Sequence, residues 1–196
     1  MNSIRKLFKG IYFFCLGHLL ALRYYDKRYL CGRWFQGKMG GICAPGWRWV
    51  VTDAKANKRK LTNIDAPFPV SSDIRVVNPN NILFDPDDLN NFQGFGNYFQ
   101  AIGKITIGKG TYIAPNVGLI TANHDLMNLK MHMSPKEIFL GEQCWIGMNS
   151  TILPGVRLGN HTVVGAGSVV TKSFPEGNCV IAGNPAKIIR ILDELQ

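Results

Sequence analysis

No C-x-x-C pair occurs anywhere in the 196 residues, and the five cysteines, at positions 15, 31, 43, 144 and 179, are odd in number. The missing pair excludes the usual zinc spacing, and a reduced, cytoplasmic setting is the simplest expectation. Cys144 and Cys179 read as small buried hydrophobes rather than reactive thiols. Long apolar runs are also missing. The stretch from Leu7 to Leu22 is broken by Lys9 and His18 and falls short of the ~20 residues needed to cross a bilayer. No small-residue cleavage site follows it, so a secretory signal is not expected. Acidic residues are scarce at one end only. Residues 1–60 hold 13 basic and 2 acidic side chains, whereas residues 61–196 hold 9 and 11, so the formal charge of +9 belongs to the first third. The remainder has no basic, aromatic strip, and no nucleic-acid partner is expected.

What is present in the first third is helical spacing. Ile4, Leu7, Ile11, Cys15, Leu19 and Leu22 recur every three or four residues, with Arg5, Lys6 and Lys9 off that stripe, as in an amphipathic helix. Two uses stand open. The helix either rests on an anionic membrane surface, helped by Arg23, Lys27 and Arg28, giving peripheral contact through residues 1–28, or it packs on its own domain or oligomer. Residues 31–65 show no sustained period and read as irregular structure or short strands. The run Lys55 to Lys60 reads as solvated surface.

Beyond about residue 70 the sequence repeats. Counting in sixes, Leu140, Ile146, Ile152, Leu158, Val164 and Val170 fall at one phase, and Ile107, Ile113 and Leu119 form an earlier run. Such a period describes a solenoid in which three hexads close an 18-residue coil and the phased aliphatic points inward. Gly108, Ala114, Gly141, Gly147, Gly159 and Gly165 follow the aliphatics, where small residues let the chain turn. Leu119 to Leu140 is one coil plus three residues, so a loop at about 125–138 leaves the coil. The closing AKIIRILDELQ has helical spacing and predicts a capping helix over 186–196.

The strings ITIGKGTYIAPNV, TANHD, LGEQCWIGMNSTILPGVRLGN, VVGAGSVVTKSFP and IAGNPAKIIR follow one another between about Ile105 and Leu192. In that order they resemble the hexapeptide-repeat acyltransferases, particularly the galactoside, maltose and capsular-polysaccharide O-acetyltransferases. The first 60 residues lie outside the resemblance. It implies an all-β solenoid, a left-handed parallel β-helix over 66–185; the helix read from the spacing belongs to a basic, partly apolar N-terminal extension over 1–65, and the short C-terminal helix follows the solenoid. It further implies acetyl-CoA as co-substrate, a sugar or a cell-surface or lipid-linked saccharide as acceptor, and a homotrimer sharing its clefts. The alternatives are N-acetylation of an amino sugar and a non-catalytic membrane-associated solenoid. A zinc carbonic anhydrase of the same fold would need three converging imidazoles; His124 and His161 lack a third close by, and no metal site is assigned.

A hydroxyl is a poor nucleophile until a base takes its proton, and the resemblance gives that role to His124 in the NHD loop, with Asn123 or Asp125 as candidates to orient its ring and both as candidates to contact the acceptor. An oxyanion requires an aimed donor, which the resemblance places at the backbone N–H of Met148, after CWIG. Ala166 maps to the pantetheine arm, Thr171 and Lys172 lie farther along, and Lys187 and Arg190 match positions near the coenzyme phosphates. Asn97 and Gln100 are the acceptor candidates. His132 either approaches the acceptor or lies in solvent, His161 reads as a surface turn, His18 as a packing residue, and Asp85, Asp87 and Asp88 as a solvated turn.

Overall fold

The computed structural model describes residues 2–36 and 41–192. Helix α1 runs Asn2–Tyr24 and helix α2 runs Pro45–Lys60. The strands are β1 Arg75–Val77, β2 Ile82–Leu83, β3 Tyr98–Gln100, β4 Ile105–Ile107, β5 Tyr112–Ile113, β6 Gly118–Ile120 and β7 Ile138–Leu140. They continue as β8 Trp145–Ile146, β9 Thr151–Ile152, β10 Arg157–Leu158, β11 Thr162–Val164, β12 Val169–Val170, β13 Cys179–Gly183 and β14 Ala186–Ile191.

The strands form three sheets, ordered β1-β3-β6-β9-β12, β10-β7-β4-β2 and β14-β13-β11-β8-β5. From β4 to β12 successive strands visit the second, third and first sheet in rotation, and all their pairings are parallel. The hexad phase accounts for this. Leu140, Ile146, Ile152, Leu158 and Val170 are wholly buried, Val164 and Leu119 nearly or fully so, and Ile107, Ile113 and Leu119 sit in register with Leu140, Ile146 and Ile152.

The glycines behave differently from expectation. Gly108, Gly141, Gly147 and Gly159 do not supply the corners; they admit the neighbouring coil. A Cβ on Gly147 would stand 2.5 Å from Val164 O, and one on Gly141 2.6 Å from Asn160 N. The left-handed corners fall two residues later, at Asn116, Gln143, Asn149 and His161, with φ of 58°, 53°, 59° and 55°, and at a second set of glycines, Gly110, Gly155 and Gly167, with φ of 74°, 85° and 71°. His161 is thus a corner residue, its N–H donating to Glu142 O at 2.9 Å. Buried hydroxyls satisfy the carbonyls left at these corners: Ser150 Oγ donates to Gly147 O at 2.6 Å, Ser168 Oγ to Gly165 O at 2.6 Å and Thr162 Oγ1 to Gly159 O at 2.7 Å.

Two segments depart from their sequence reading. Residues 45–60 are a helix rather than irregular, because Pro45 occupies the first turn, where its missing N–H costs nothing, and Lys58, Arg59 and Lys60 oppose the C-terminal dipole. The buried side is Trp47, Val50, Val51, Asp53 and Asn57, and the two polar members disguise its period. The predicted C-terminal helix is also corrected. Ala186–Ile191 is a strand antiparallel to Cys179–Gly183; Gly183, at φ 104°, turns the chain back so that Ile188, Ile189 and Ile191, β-branched, cover the open sheet edge. Residues 193–196 of that expectation lie outside the described residues.

Helix α1 lies against α2 by a face other than the stripe read from the sequence. Gly10, Gly17 and Ala21 are buried, and a Cβ on Gly17 would lie 3.0 Å from Trp47 Cε3. His18 stacks on Trp47 with centroids 3.9 Å apart, the packing role expected of it. Below the helices, Tyr29, Phe68, Phe84, Phe92 and Phe99 form a chain of ring contacts that joins this layer to the first coil. No helix among the described residues is long and apolar enough to cross a membrane.

Candidate active site

The loop that interrupts the repeat occupies residues 121–137, between β6 and β7. Since Ile107, not Leu119, pairs with Leu140, it is an insertion between consecutive hexads rather than a lengthened coil. Its base is tied down at both ends. Thr121 Oγ1 donates to Gln100 O and accepts from Gly103 N at 2.9 Å, Gln100 Oε1 accepts from Ala122 N at 3.0 Å, and Lys136 N donates to Thr121 O at 2.8 Å. Above the base, Met133 N donates to Asn123 O and Asp125 N to Met131 O, both at 2.9 Å. Asp125 Oδ1 accepts from Met127 N at 2.7 Å and Asn128 N at 3.0 Å. These bonds explain an ordered turn without a sheet.

His124 is exposed on this loop. Its Nδ1 lies 2.8 Å from the Leu129 carbonyl, an oxygen that can only accept, so Nδ1 carries a proton and the tautomer of the neutral ring is the one whose lone pair is on Nε2. The His132 ring packs beside it, centroids 4.1 Å apart. Neither candidate neighbour orients the ring: Asp125 is engaged with the turn, and Asn123 contributes its backbone carbonyl to Met133. The orienting group is a main-chain oxygen five residues on, which no residue pattern announces.

Other site residues divide by the edge of the first sheet they occupy. Met148 precedes β9 and Ala166 precedes β12, and both are exposed; Gly167 N donates to Met148 O at 2.8 Å, which stacks the two segments at one corner. Lys187 joins this column, since it pairs with Ala182, and a Cβ on Gly165 would lie 2.9 Å from Ala182 Cβ. Among the described residues the Met148 N–H has no hydrogen-bond acceptor. Arg190 is exposed farther along β14, opposite Val180. Thr171 and Lys172 follow β12 at the opposite edge, the edge from which the His124 loop departs after β6. Because these strands run parallel, His124 and Met148 stand at opposite ends of the sheet within one chain.

Asn97 needs correction as an acceptor residue. It is 2% exposed, and its Oδ1 accepts from Val117 N at 2.9 Å, so it braces the coil. Gln100, half-buried, holds the loop base instead of facing outward. The acidic turn is not merely solvated either: Asp88 is buried and accepts from Gly110 N at 2.7 Å, Asp87 accepts from Arg33 N at 2.6 Å, and Asp85 pairs with Lys109 at 3.2 Å. The Lys109 ammonium and the Asp87 N–H hold the Asp85 carboxyl below its ordinary range despite partial desolvation. Cys144 and Cys179 are buried, and burial pushes both thiols up, as inert core groups. No three His, Cys, Asp or Glu side chains among the described residues converge on one point.

A family model described as bacterial transferase hexapeptide (six repeats) matches residues 137–172. The galactoside O-acetyltransferase of Escherichia coli is 41% identical over 95 residues, 46% of this chain and 45% of that protein. The galactoside O-acetyltransferase of Lactococcus lactis is 34% identical over 93 residues, 46% of this chain and 44% of that protein. The chain spans about half the length of the curated relatives it matches. A hexapeptide-repeat-containing acetyltransferase of Vibrio cholerae, solved in complex with acetyl coenzyme A, shares the fold at 23% identity and a TM-score of 0.50, covering 89% of this chain and 99% of that one. These matches make the strand-forming part of this chain similar to the hexapeptide-repeat transferases.

Proposed function

We propose that the three sheets are the faces of a left-handed parallel β-helix over residues 66–185, and that the chain is an acetyl-CoA-dependent O-acetyltransferase. Its acceptor is a hydroxyl of a sugar or of a cell-surface or lipid-linked saccharide. The observation that carries this reading is the Nδ1 contact of His124 with the Leu129 carbonyl, which leaves Nε2 as a proton acceptor on an exposed loop. The sugar hydroxyl gives its proton to Nε2 while its oxygen attacks the thioester carbonyl. The tetrahedral oxyanion takes the Met148 N–H, and its collapse expels the coenzyme thiolate, which recovers the proton from the imidazolium. Ala166 lies along the pantetheine arm, Lys187 and Arg190 reach the coenzyme phosphates, and Thr171 and Lys172 border the opposite edge. Asn123 and Asp125 flank the acceptor.

The placement of His124 and Met148 at opposite sheet edges supports a homotrimer in which one copy's loop meets another's coenzyme column. Leu126 and Met127, 86% and 95% exposed at the loop tip, suit burial in such a contact. In this reading the enzyme is cytoplasmic. The test is release of free thiol from acetyl-CoA with a panel of sugar acceptors. Wild-type turnover that His124→Ala abolishes supports the assignment, and full turnover by His124→Ala on the same acceptor overturns it.

A further inference from the structure

The apolar stripe of α1 is not used by the fold. Ile4, Leu7, Phe8, Ile11, Leu19 and Leu22 are 65%, 51%, 68%, 41%, 68% and 75% exposed, because the opposite side of the helix, at Gly10, Gly17 and Ala21, meets α2. Helix α1 therefore has two apolar sides, and only one has a partner. Six outward apolar side chains on one helix exceed what scattered surface hydrophobics account for.

Charge says what the free side fits. Arg5, Lys9 and Arg48 line a hollow beside the stripe together with Phe8, Tyr12 and Phe13. Lys55 stands next to it, its Nζ 3.0 Å from Tyr12 Oη. None of these cations has an acidic partner among the described residues. Only two acids occur in residues 1–60; Asp26 is bound to Arg28 at 2.8 Å, and Asp53 is buried. A second copy laid on this face across a two-fold axis would bring its own cations against these, with no carboxylate to receive them.

We infer that the free side of α1 docks on an anionic phospholipid surface, the stripe entering the acyl boundary while phosphates sit in the Arg5–Lys9–Arg48 hollow. The helix has the length to span at 23 residues but lacks the apolarity, and an apolar stripe with a basic flank is the arrangement that lies flat at the boundary. This goes beyond the acyl-transfer reading and is independent of it, since binding to vesicles requires no turnover.

The test is flotation of the full chain with phosphatidylcholine vesicles, alone or mixed with phosphatidylglycerol, at low and moderate salt. The protein is expected to float with the mixed vesicles, less so as salt rises, and not with phosphatidylcholine alone. Each neutralised cation should weaken binding about fivefold, so Arg5→Gln with Lys9→Gln costs about 25-fold. Leu7→Glu with Leu22→Glu should cost at least about tenfold per site. All four positions point outward, so helicity and melting should be unchanged. Three results would overturn the inference: no flotation of wild type, equal flotation with neutral vesicles, or concentration-dependent self-association that Leu7→Glu abolishes. Acetyl transfer to a soluble sugar, measured separately, reports on the other reading alone.

Discussion

The helical layer and the strand region of this chain are held together by opposite strategies. In the strand region each round of three strands is nearly a copy of the last, so the same aliphatic, glycine and hydroxyl positions recur, and the aliphatics and hydroxyls are buried each time for the same reason. In the helical layer nothing recurs. Gly10 and Gly17 admit Cys43 and Trp47, an aromatic chain from Tyr29 to Phe99 welds the layer to the coil, and polar Asp53 and Asn57 sit where a regular pattern would put leucine. The comparison teaches that periodic apolar residues mean burial only where repetition supplies the neighbour.

The largest expected effect contrasts the two apolar patterns directly. Ile152, wholly buried, becomes an unpaired buried charge in Ile152→Asp, a loss of more than about 4 kcal/mol seen as missing folded protein. Leu22→Asp, at a position equally periodic in sequence but 75% exposed, should leave thermal melting within about 0.5 kcal/mol of wild type. Similar losses from both would mean that the stripe is packed after all.

The next variant separates chemistry from architecture. His124→Ala is expected to lower turnover by ~10²- to 10⁴-fold at an unchanged melting temperature, because the coil does not rest on a loop imidazole. Within the helical layer, Gly17→Val should cost about 1–3 kcal/mol by overpacking against Trp47, visible as early loss of the Trp fluorescence environment while the strand signal persists.

The smallest effect is a pH dependence. Burial pushes the Asp53 carboxyl up to about 6, against weaker opposition from the Gln93 and Thr52 hydrogen bonds. The native state therefore holds a proton that the unfolded chain has released. The associated stability is fully present below the ordinary carboxylate range, is lost as pH rises to about 6, and is flat above it. Asp53→Asn should remove that slope and raise stability at neutral pH by on the order of 1–3 kcal/mol, as measured by urea denaturation at several pH values.

How much the sequence disclosed follows from the same contrast. Nine phased aliphatics located the coil interior and the interrupting loop, because each hexad corroborates the others. The mechanism of the glycines escaped, since φ and close approach leave the same letter in a sequence. The final segment escaped because AKIIRILDELQ satisfies helical spacing, while the competing draw, an open edge on β13, exists only after folding. At the candidate site, the place of His124 on the interrupting loop was legible from its motif, but the ring's partner is a carbonyl, and every residue has one. Asn97 and Gln100 were read as acceptor contacts because buried brace and exposed ligand require the same amide.

That the His124 ring is held by a main-chain oxygen changes what can damage it. A side-chain partner can be lost by one substitution at its own codon; the Leu129 carbonyl survives any replacement that keeps the turn. The vulnerability passes to the path of the chain between 124 and 129, where one inserted or deleted residue would move the oxygen away from Nδ1. Drift in composition along the loop should therefore be harmless to tautomer choice, and drift in its length should not.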